Sequence, residues 1–166
     1  MRHMTRTFYI VLLIVVVAGA AFLLINKTAP SQSTESIEQA QSGSTAEFGG
    51  VSLRIEYATT TAAREFGLGG RESIALDEGM LFVFLVDDLY GFWMNDMLIP
   101  VDIFWLDAQG QVVSIEQDVA PETYPNVFYP TAPARYVLET VAGFAREHNV
   151  VIGTPLSLKN FPSVTE

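Results

Sequence analysis

An uncharged apolar run near the N-terminus sets the first limit on how this chain can fold. Residues 8–25 read FYIVLLIVVVAGAAFLLI and contain no charged side chain. A helix needs about 20 apolar residues to cross the hydrocarbon layer of a membrane, with a lower limit of roughly 17. The run therefore predicts a transmembrane anchor, and it leaves room for one domain of ordinary size in the rest of the 166 residues.

A cleaved secretory signal is the alternative interpretation of the same run. Residues 8–17 have the length of a signal h-region, and Ala-Gly-Ala at residues 18–20 has the small-x-small form of a cleavage site. The apolar run continues beyond that site, which favours an uncleaved anchor. Both interpretations place the domain outside the cytoplasm, because Arg2 and Arg6 precede the run and such residues stay on the cytoplasmic side. We expect a single-pass protein of the cell membrane with a periplasmic or extracellular domain, or a secreted protein if the signal is cleaved.

The predicted organisation has five parts. Residues 1–7 form a cytoplasmic N-terminus, and residues 8–25 form the anchor or uncleaved signal. Residues 26–47 are rich in Ser, Thr, Gln and Ala with little to bury, which predicts a disordered tether. Residues 48–160 form the β domain, and residues 161–166 a C-terminal tail.

Charge and cysteine content exclude several functions. The chain has no Cys, so it has no disulfide, no thiol nucleophile and no Cys-ligated metal. After residue 27 it carries six Arg or Lys and 19 Asp or Glu, a formal charge of −13. Nucleic acid is therefore not an expected partner, because phosphate binding needs clustered cations. The spacing of acids and His predicts no metal site and no cofactor.

Alternating and uniformly apolar segments predict a β-rich domain. In residues 51–58, VSLRIEYA, apolar and polar side chains alternate as in a half-buried strand. Residues 79–86, GMLFVFLV, are apolar on both faces and predict a central strand. Four prolines make residues 120–134 a long loop. We expect a sandwich or a partly open barrel with two short helices, near residues 59–67 and 141–149.

Short motifs follow one another between residues 51 and 158. They are Arg64, Gly67-Leu68, Arg71, GMLFVF from Gly79, FWM from Phe92, IPVDIFWLDAQGQVV from Ile99, the segment from Pro130 to Arg135 that precedes YVLE, Gly143 and Gly153. Together they resemble the DUF192 (UPF0127) family of uncharacterised bacterial and archaeal proteins. The resemblance implies a mainly β, jelly-roll-like sandwich, often behind a signal or anchor, and it implies no activity.

The chain departs from the family pattern at two places. Gly69 stands where the family usually has Met after Gly-Leu. Asn95-Asp96 stands where the family usually has Lys followed by Asn. If that Lys binds an anion in relatives, this chain lacks the side chain for it.

Asp102 is the first candidate for a binding site. In the predicted strand VDIFWL it shares a face with Phe104 and Leu106, while the alternate residues face the other way. A carboxylate on such a face needs a cation or several N–H donors. The expected cations are Arg64, Arg71 and Arg135.

Two interpretations of Asp102 remain open. It forms an architectural Asp–Arg pair, or it lines a ligand cleft in which an Arg grips an anionic group and Trp93 stacks on a ring. If residues 92–94 are extended, the side chain of Trp93 points to the face opposite to that of Phe92 and Met94. Trp93 therefore lies either in the core or away from it. Glu139, near the end of another predicted strand, completes the set of candidate ligand-binding residues.

The function expected from the sequence is binding. The domain would be a membrane-tethered binding or accessory module for a small polar ligand, an envelope glycan or a protein partner. The first alternative is a hydrolase of envelope material that uses Asp102 with Glu116 or Glu139 as acid and base. The second is a structural domain that contacts proteins through the Pro-rich loop. No complete catalytic motif is present, and the sequence leaves the oligomeric state open.

Overall fold

Nine strands and two short α-helices make up residues 44–164, the part of the chain that the computed structural model describes. The strands are β1 Ser44–Phe48, β2 Val51–Ala58, β3 Glu78–Asp88, β4 Phe92–Trp93, β5 Val101–Leu106, β6 Val112–Val119, β7 Val127–Phe128, β8 Ala134–Val141 and β9 Ser157–Leu158. The helices are α1 Thr61–Phe66 and α2 Phe144–Glu147.

Seven strands form one sheet in the order β6-β5-β8-β3-β2-β1-β9, which curls into a half-barrel. The β2–β3 pair is parallel, and α1 lies in the connection between these strands. The other pairs are antiparallel, and β8 joins β3 to β5. Strands β4 and β7 form a separate two-stranded ribbon. The predictions of a mainly β domain and of two short helices are confirmed.

Both faces of the sheet are covered at β5, where every residue is buried. Phe104 and Leu106 belong to a hydrophobic cluster that also contains Phe144 of α2, and we call their side of the sheet the α2 face. Ile103 and Trp105 belong to a second cluster with Phe92 of the ribbon, and we call that side the ribbon face. The predicted alternation of β5 is confirmed. Full burial of each such side chain stabilises the fold by about 1.5–3 kcal/mol.

The sheet begins earlier than the sequence predicts. Strand β1 starts at Ser44, inside the segment 26–47 that was interpreted as tether, and it pairs with β2 and β9. Ala46 and Phe48 point into the core, where each is only 1% exposed. The polar composition of Ser44, Thr45 and Glu47 hides this strand, because only two of its five residues are large enough or apolar enough to indicate burial.

The end of the chain also packs more closely than a tail would. The ring of Phe161 stacks on Tyr136 with 4.5 Å between ring centroids. Val164 packs against the cluster of the α2 face. The predicted anchor at residues 8–25, and most of the tether, lie outside the described residues. Within residues 44–164, no helix combines the length and the apolar character that a membrane crossing requires.

The Pro-rich segment is ordered by its pairing with β4. It contains a 3-10 turn at Pro121–Thr123 and strand β7. In the ribbon, Phe92 lies opposite Phe128, and Trp93 lies opposite Val127. Phe92 and Trp93 therefore form a short strand, and its partner comes from the segment predicted as a loop.

Candidate functional site

A cleft of about 340 Å³ opens between α1, β3 and the ribbon. Six of the residues that line it are aromatic, and we call it the aromatic cleft. Its aromatic residues are Phe66, Phe82, Phe84, Tyr90, Phe92 and Trp93. Pockets for small molecules usually have this size or more and are lined by apolar and aromatic groups with a few polar ones.

The aromatic side chains contact one another in preferred geometries. Phe82 and Phe92 pack edge to face, with 4.9 Å between ring centroids and an interplanar angle of 89°. Phe84 stacks on Tyr90 at 3.6 Å. Trp93 is 51% exposed and lies at the mouth of the cleft, where its ring is tilted against Tyr124. Trp93 is therefore outside the core, and a ligand can reach its ring.

Helix α1 places Arg64 on the wall of the cleft. The helix begins at Thr60, whose side chain accepts a hydrogen bond from the N–H of Ala63, and it ends at Gly67, where φ is 53°. The Nη1 atom of Arg64 donates to the carbonyl oxygens of Thr59 and Val83 at 2.9 and 3.0 Å.

The Arg64 guanidinium is also 5.3 Å from the centre of the Phe84 ring, and its Nη2 atom donates to Thr61. The side chain thus holds the helix against β3, and its contacts are with the protein itself.

Glu139 is buried among the apolar groups of the ribbon face. It lies on β8, opposite Met80 of β3 and Ile103 of β5, and it lines the aromatic cleft. Glu139 is only 4% exposed, and none of the described residues forms a hydrogen bond with its Oε2 atom. Burial raises the pKa of this carboxyl to about 8, although the positive charge of Arg71 acts in the opposite direction. At neutral pH the group is therefore mainly protonated.

Arg71 occupies a second, smaller cleft of about 280 Å³, which Leu68 separates from the first. Its Nη2 atom donates to both carboxylate oxygens of Glu56, at 2.7 and 2.9 Å. Glu56 lies opposite Met80, which in turn lies opposite Glu139. Arg71 is therefore paired with Glu56, and it acts on Glu139 through its charge.

Asp102 has a different role from the one expected. It is fully buried, and its carboxylate accepts hydrogen bonds from three backbone N–H groups, at 2.8 Å from Asp118, 3.1 Å from Gly143 and 2.8 Å from Ala145. Gly143 and Ala145 belong to the first turn of α2, so Asp102 caps that helix from the sheet. The predicted Asp–Arg pair is wrong, because backbone donors satisfy the carboxylate instead.

The three candidate arginines all bind elsewhere. Arg64 and Arg71 have the partners given above. The Nε atom of Arg135 donates to Asp87 at 2.6 Å. Of the six predicted site residues, the aromatic cleft brings together Arg64, Trp93 and Glu139, and it excludes Arg71, Asp102 and Arg135.

The expected acid–base pair is not assembled. Asp102 lies on the α2 face and is paired with Thr140 of β8. Glu139, the residue before Thr140, lies on the ribbon face. Glu116 of β6 does lie opposite Ile103, in the same cross-strand row as Glu139, but it does not line the aromatic cleft. Asp102 therefore cannot act with either glutamate on one substrate in this cleft. Among residues 44–164, no group of three or more acids or histidines could hold a metal ion.

Sequence reasoning missed most of the aromatic wall. Phe82 and Phe92 were interpreted as strand core, and Phe66 and Tyr90 were not singled out. The signal was present as an excess of aromatic residues on segments that the β2–β3 and β4–β7 pairings bring together. Asn95, a departure from the family pattern, also lines the cleft and bonds to Asp96. At Gly69, the other departure, a Cβ would lie 2.9 Å from the carbonyl oxygen of Phe66, so the tight turn leaves no room for a side chain.

Comparisons with known proteins agree on the domain. A family model described as DUF192, uncharacterized ACR, matches residues 44–158. A protein from Sinorhizobium meliloti 1021 has a crystal structure that is provisionally described as that of a transcription regulator. Its sequence is 29% identical to this chain, and the two structures match with a TM-score of 0.61 over 64% of this chain and 82% of that one. A protein of unknown function from Novosphingobium aromaticivorans DSM 12444 is 26% identical, with a TM-score of 0.65 over 69% of this chain and 84% of that one. No curated protein matches the sequence.

Proposed function

The chain belongs to the DUF192 family, and we propose that its domain is an extracytoplasmic binding module whose aromatic cleft holds a small ligand with an apolar body and one polar group. The apolar body would pack on the rings of the wall, and the polar group would reach Glu139. The N-terminal apolar run would keep the module at the membrane surface.

The observation that carries this proposal is the unpartnered carboxyl of Glu139 at the base of an open cleft. Leaving a buried polar group without a hydrogen bond costs about 1–3 kcal/mol, and natural cores seldom retain such a group without a reason. A ligand that bonds to Oε2 would offset this cost. The surrounding rings would supply contact area to the rest of the ligand.

The mouth of the cleft supports the same function. Trp93 and Phe66 are 51% and 71% exposed, although large aromatic side chains usually contribute most when buried. Both side chains line the cleft, so a ligand that enters it would cover part of their surface.

Binding is tested with probes that share a phenyl ring and differ in one polar group: benzylamine, benzyl alcohol, benzamide and benzoate. The full chain in detergent is titrated with each probe, and binding is followed by calorimetry and by the fluorescence of Trp93. Trp105 is fully buried and serves as a constant background. We expect at least one probe to bind with a dissociation constant of about 1 mM or tighter.

The matched variant is Trp93→Ala. Loss of one ring at the mouth should weaken that probe about tenfold, since stacking contacts of this kind contribute about 1 kcal/mol or somewhat more. Binding of the probe to detergent is the same for both proteins and cancels in the comparison. If no probe binds the wild type, or if all bind both proteins equally, the cleft is not a binding site.

A further inference from the structure

We infer that the ligand of the aromatic cleft is an organic ammonium ion, whose N–H groups donate to Glu139 while its apolar part packs on the surrounding rings. This inference rests on the proposed function and names the chemical class of its ligand. Three features of the cleft lead to it: a carboxyl without a donor, rings that attract cations, and an excess of acidic groups.

The carboxyl is the strongest of these features. Oε2 of Glu139 is buried and has no donor among the described residues. An ammonium ion supplies both an N–H donor and a charge that compensates the carboxylate, and such charge-assisted bonds are roughly twice as strong as neutral ones. The position at the base of the cleft means that the charged end of the ligand enters first.

The walls favour a cation over a neutral ring. The faces of aromatic rings carry negative electrostatic potential and attract ammonium and guanidinium groups. The wall already holds one cation in this way, because the guanidinium of Arg64 lies 5.3 Å from the centre of the Phe84 ring. The other rings, including those of Tyr90 and Trp93, remain on the wall for a ligand.

The charged residues of the cleft also favour a cationic ligand. Among the described residues that line it, Arg64 is the only cation, and its guanidinium bonds to Thr59, Thr61 and Val83. Glu65 is exposed and also lines the cleft, so it adds a second carboxyl group there. An anionic ligand would meet two carboxyl groups and an arginine that is bonded elsewhere. A cation meets the carboxylate of Glu65, and its positive charge favours the ionised form of Glu139.

Proton release follows from this arrangement. In the free domain Glu139 holds a proton at neutral pH, because burial raises its pKa to about 8. When the ammonium ion binds, the carboxyl releases this proton to solvent, and the carboxylate accepts an N–H of the ligand, which keeps all its own protons. A neutral ligand with a carbonyl oxygen would do the reverse, since it needs the proton of Glu139 for its own hydrogen bond.

Other charged groups surround Glu139 and act on the same equilibrium. The described groups that lie near it on the ribbon face or line its cleft are Arg71 and Glu56 on the second cleft, Glu116 on β6, Arg64 and Glu65 on α1, and the hydroxyl of Tyr90. The charge of Arg71 lowers the pKa of the Glu139 carboxyl against the larger effect of burial, and the bonds of Arg71 to Glu56 hold it in place.

The experiment compares benzylamine with benzyl alcohol, which differ in the charged group and share the ring. The full chain in detergent is titrated calorimetrically at pH 7 and pH 8, in two buffers with different ionisation enthalpies. With the pKa of Glu139 at about 8, the ionised fraction rises about fivefold between these pH values, and the affinity for benzylamine should rise by the same factor. The buffer comparison should show release of nearly one proton per benzylamine bound at pH 7 and of about half a proton at pH 8.

Two variants separate Glu139 from the other carboxyl of the cleft. Glu139→Gln keeps the size of the side chain and removes the charge, so it should weaken benzylamine at least tenfold, abolish the pH dependence and leave benzyl alcohol almost unchanged. Glu65→Gln should weaken benzylamine less than threefold and preserve the pH dependence, because Glu65 is exposed. Circular dichroism confirms that each variant is folded.

The possible outcomes distinguish the two proposals. If benzyl alcohol or benzamide binds and its affinity falls from pH 7 to pH 8, the ligand is a neutral acceptor; the ammonium inference is wrong, and the cleft remains a binding site. Benzylamine binding that is insensitive to Glu139→Gln and to pH also overturns the inference alone. Binding of benzamide or benzoate without binding of benzylamine also overturns the inference alone. If none of the four probes binds, the inference and the proposed function both fail.

Discussion

Asp102 and Glu139 show how two buried carboxyl groups in neighbouring positions acquire different roles. They are one register position apart on β5 and β8, on opposite faces of the sheet. Three backbone N–H groups donate to Asp102, whereas none of the described residues bonds to Oε2 of Glu139. The first carboxyl therefore holds α2 on the sheet, and the second is the group that the proposed ligand would bond to.

Replacing Asp102 should test the structural role. Asp102→Asn removes the charge and one acceptor, and its amide hydrogens would face backbone donors, so we expect a loss of about 2–4 kcal/mol in the free energy of unfolding. The measurement is urea denaturation of a shortened chain, residues 40–166. Asp87→Asn is the matched control, because this exposed partner of Arg135 should cost only about 0.5 kcal/mol. Equal losses would contradict the role assigned to Asp102.

Glu139 should make the stability of the domain depend on pH. In the unfolded chain its carboxyl has the ordinary pKa of 4.5, whereas burial raises this pKa to about 8 in the folded chain. Between these values the folded state binds more protons, so stability is greatest at the acidic end and falls as pH rises to about 8. The expected fall is on the order of 1 kcal/mol per pH unit.

The comparison with Glu139→Gln isolates this effect from all other titrating groups. Gln carries no charge at any pH, so the difference in unfolding free energy between the two proteins should change from pH 5 to pH 8 in favour of the variant. Denaturant titrations at three pH values measure it. A difference that stays constant would show that the carboxyl is not buried as described.

At the scale of the elements, α1 and the ribbon form the walls of the cleft, and each depends on few contacts. Helix α1 has only six residues, none of them buried, so its position depends on its caps and on Arg64. The bonds from Arg64 to Thr59 and Val83 connect the helix to the preceding loop and to β3. A change at Arg64 should therefore move the helix before it unfolds the sheet.

Arg64→Lys tests this dependence. Lysine cannot reproduce the forked guanidinium that contacts two carbonyl oxygens, so we expect a loss of about 1–2 kcal/mol and faster hydrogen exchange in the amides of α1. Arg54→Lys serves as the control, because its exposed guanidinium pairs with Asp77 and Glu78 at the surface. If both changes have the same small effect on exchange, Arg64 does not hold the helix.

Much of this element structure could be predicted, because the alternation of polar and apolar residues reports burial. The two faces of β5 and the central position of β3 follow from their patterns. The donors to Asp102 do not, since they are backbone groups of Gly143, Ala145 and Asp118, brought together only by the packing of α2 on the sheet. Strand β7 was missed because prolines near it indicate a loop, and its pairing with β4 is a long-range contact.

At the scale of the whole molecule, the acidic domain and the apolar N-terminal run suit a protein outside the cytoplasm. The formal charge of −13 after residue 27 disfavours binding to anionic lipid. In the proposed function, attachment to the membrane would come from residues 8–25, whose uncharged sequence has the length of a short membrane helix.

The anchor is tested by fractionation. We predict that the full chain, expressed with its N-terminus intact, stays with the membrane pellet after washing at high pH, and that a chain without residues 8–25 does not enter the pellet. Protease added to cells with a permeable outer layer should degrade the domain. If the expressed chain is instead recovered in the soluble fraction and is shorter by about 20 residues, the N-terminal run is a cleaved signal.

The position of β8 in the sheet also determines when the domain can be completed during synthesis. Without β8, the β5–β6 hairpin has no connection to β3, β2 and β1, because β8 lies between these two parts. The ribosome makes β8 after all of them, and β9, which covers the free edge of β1, comes later still. Glu139 belongs to β8, so a nascent chain that has not reached β8 lacks the base of the cleft. The cleft is therefore complete only in a chain that has been made beyond β8.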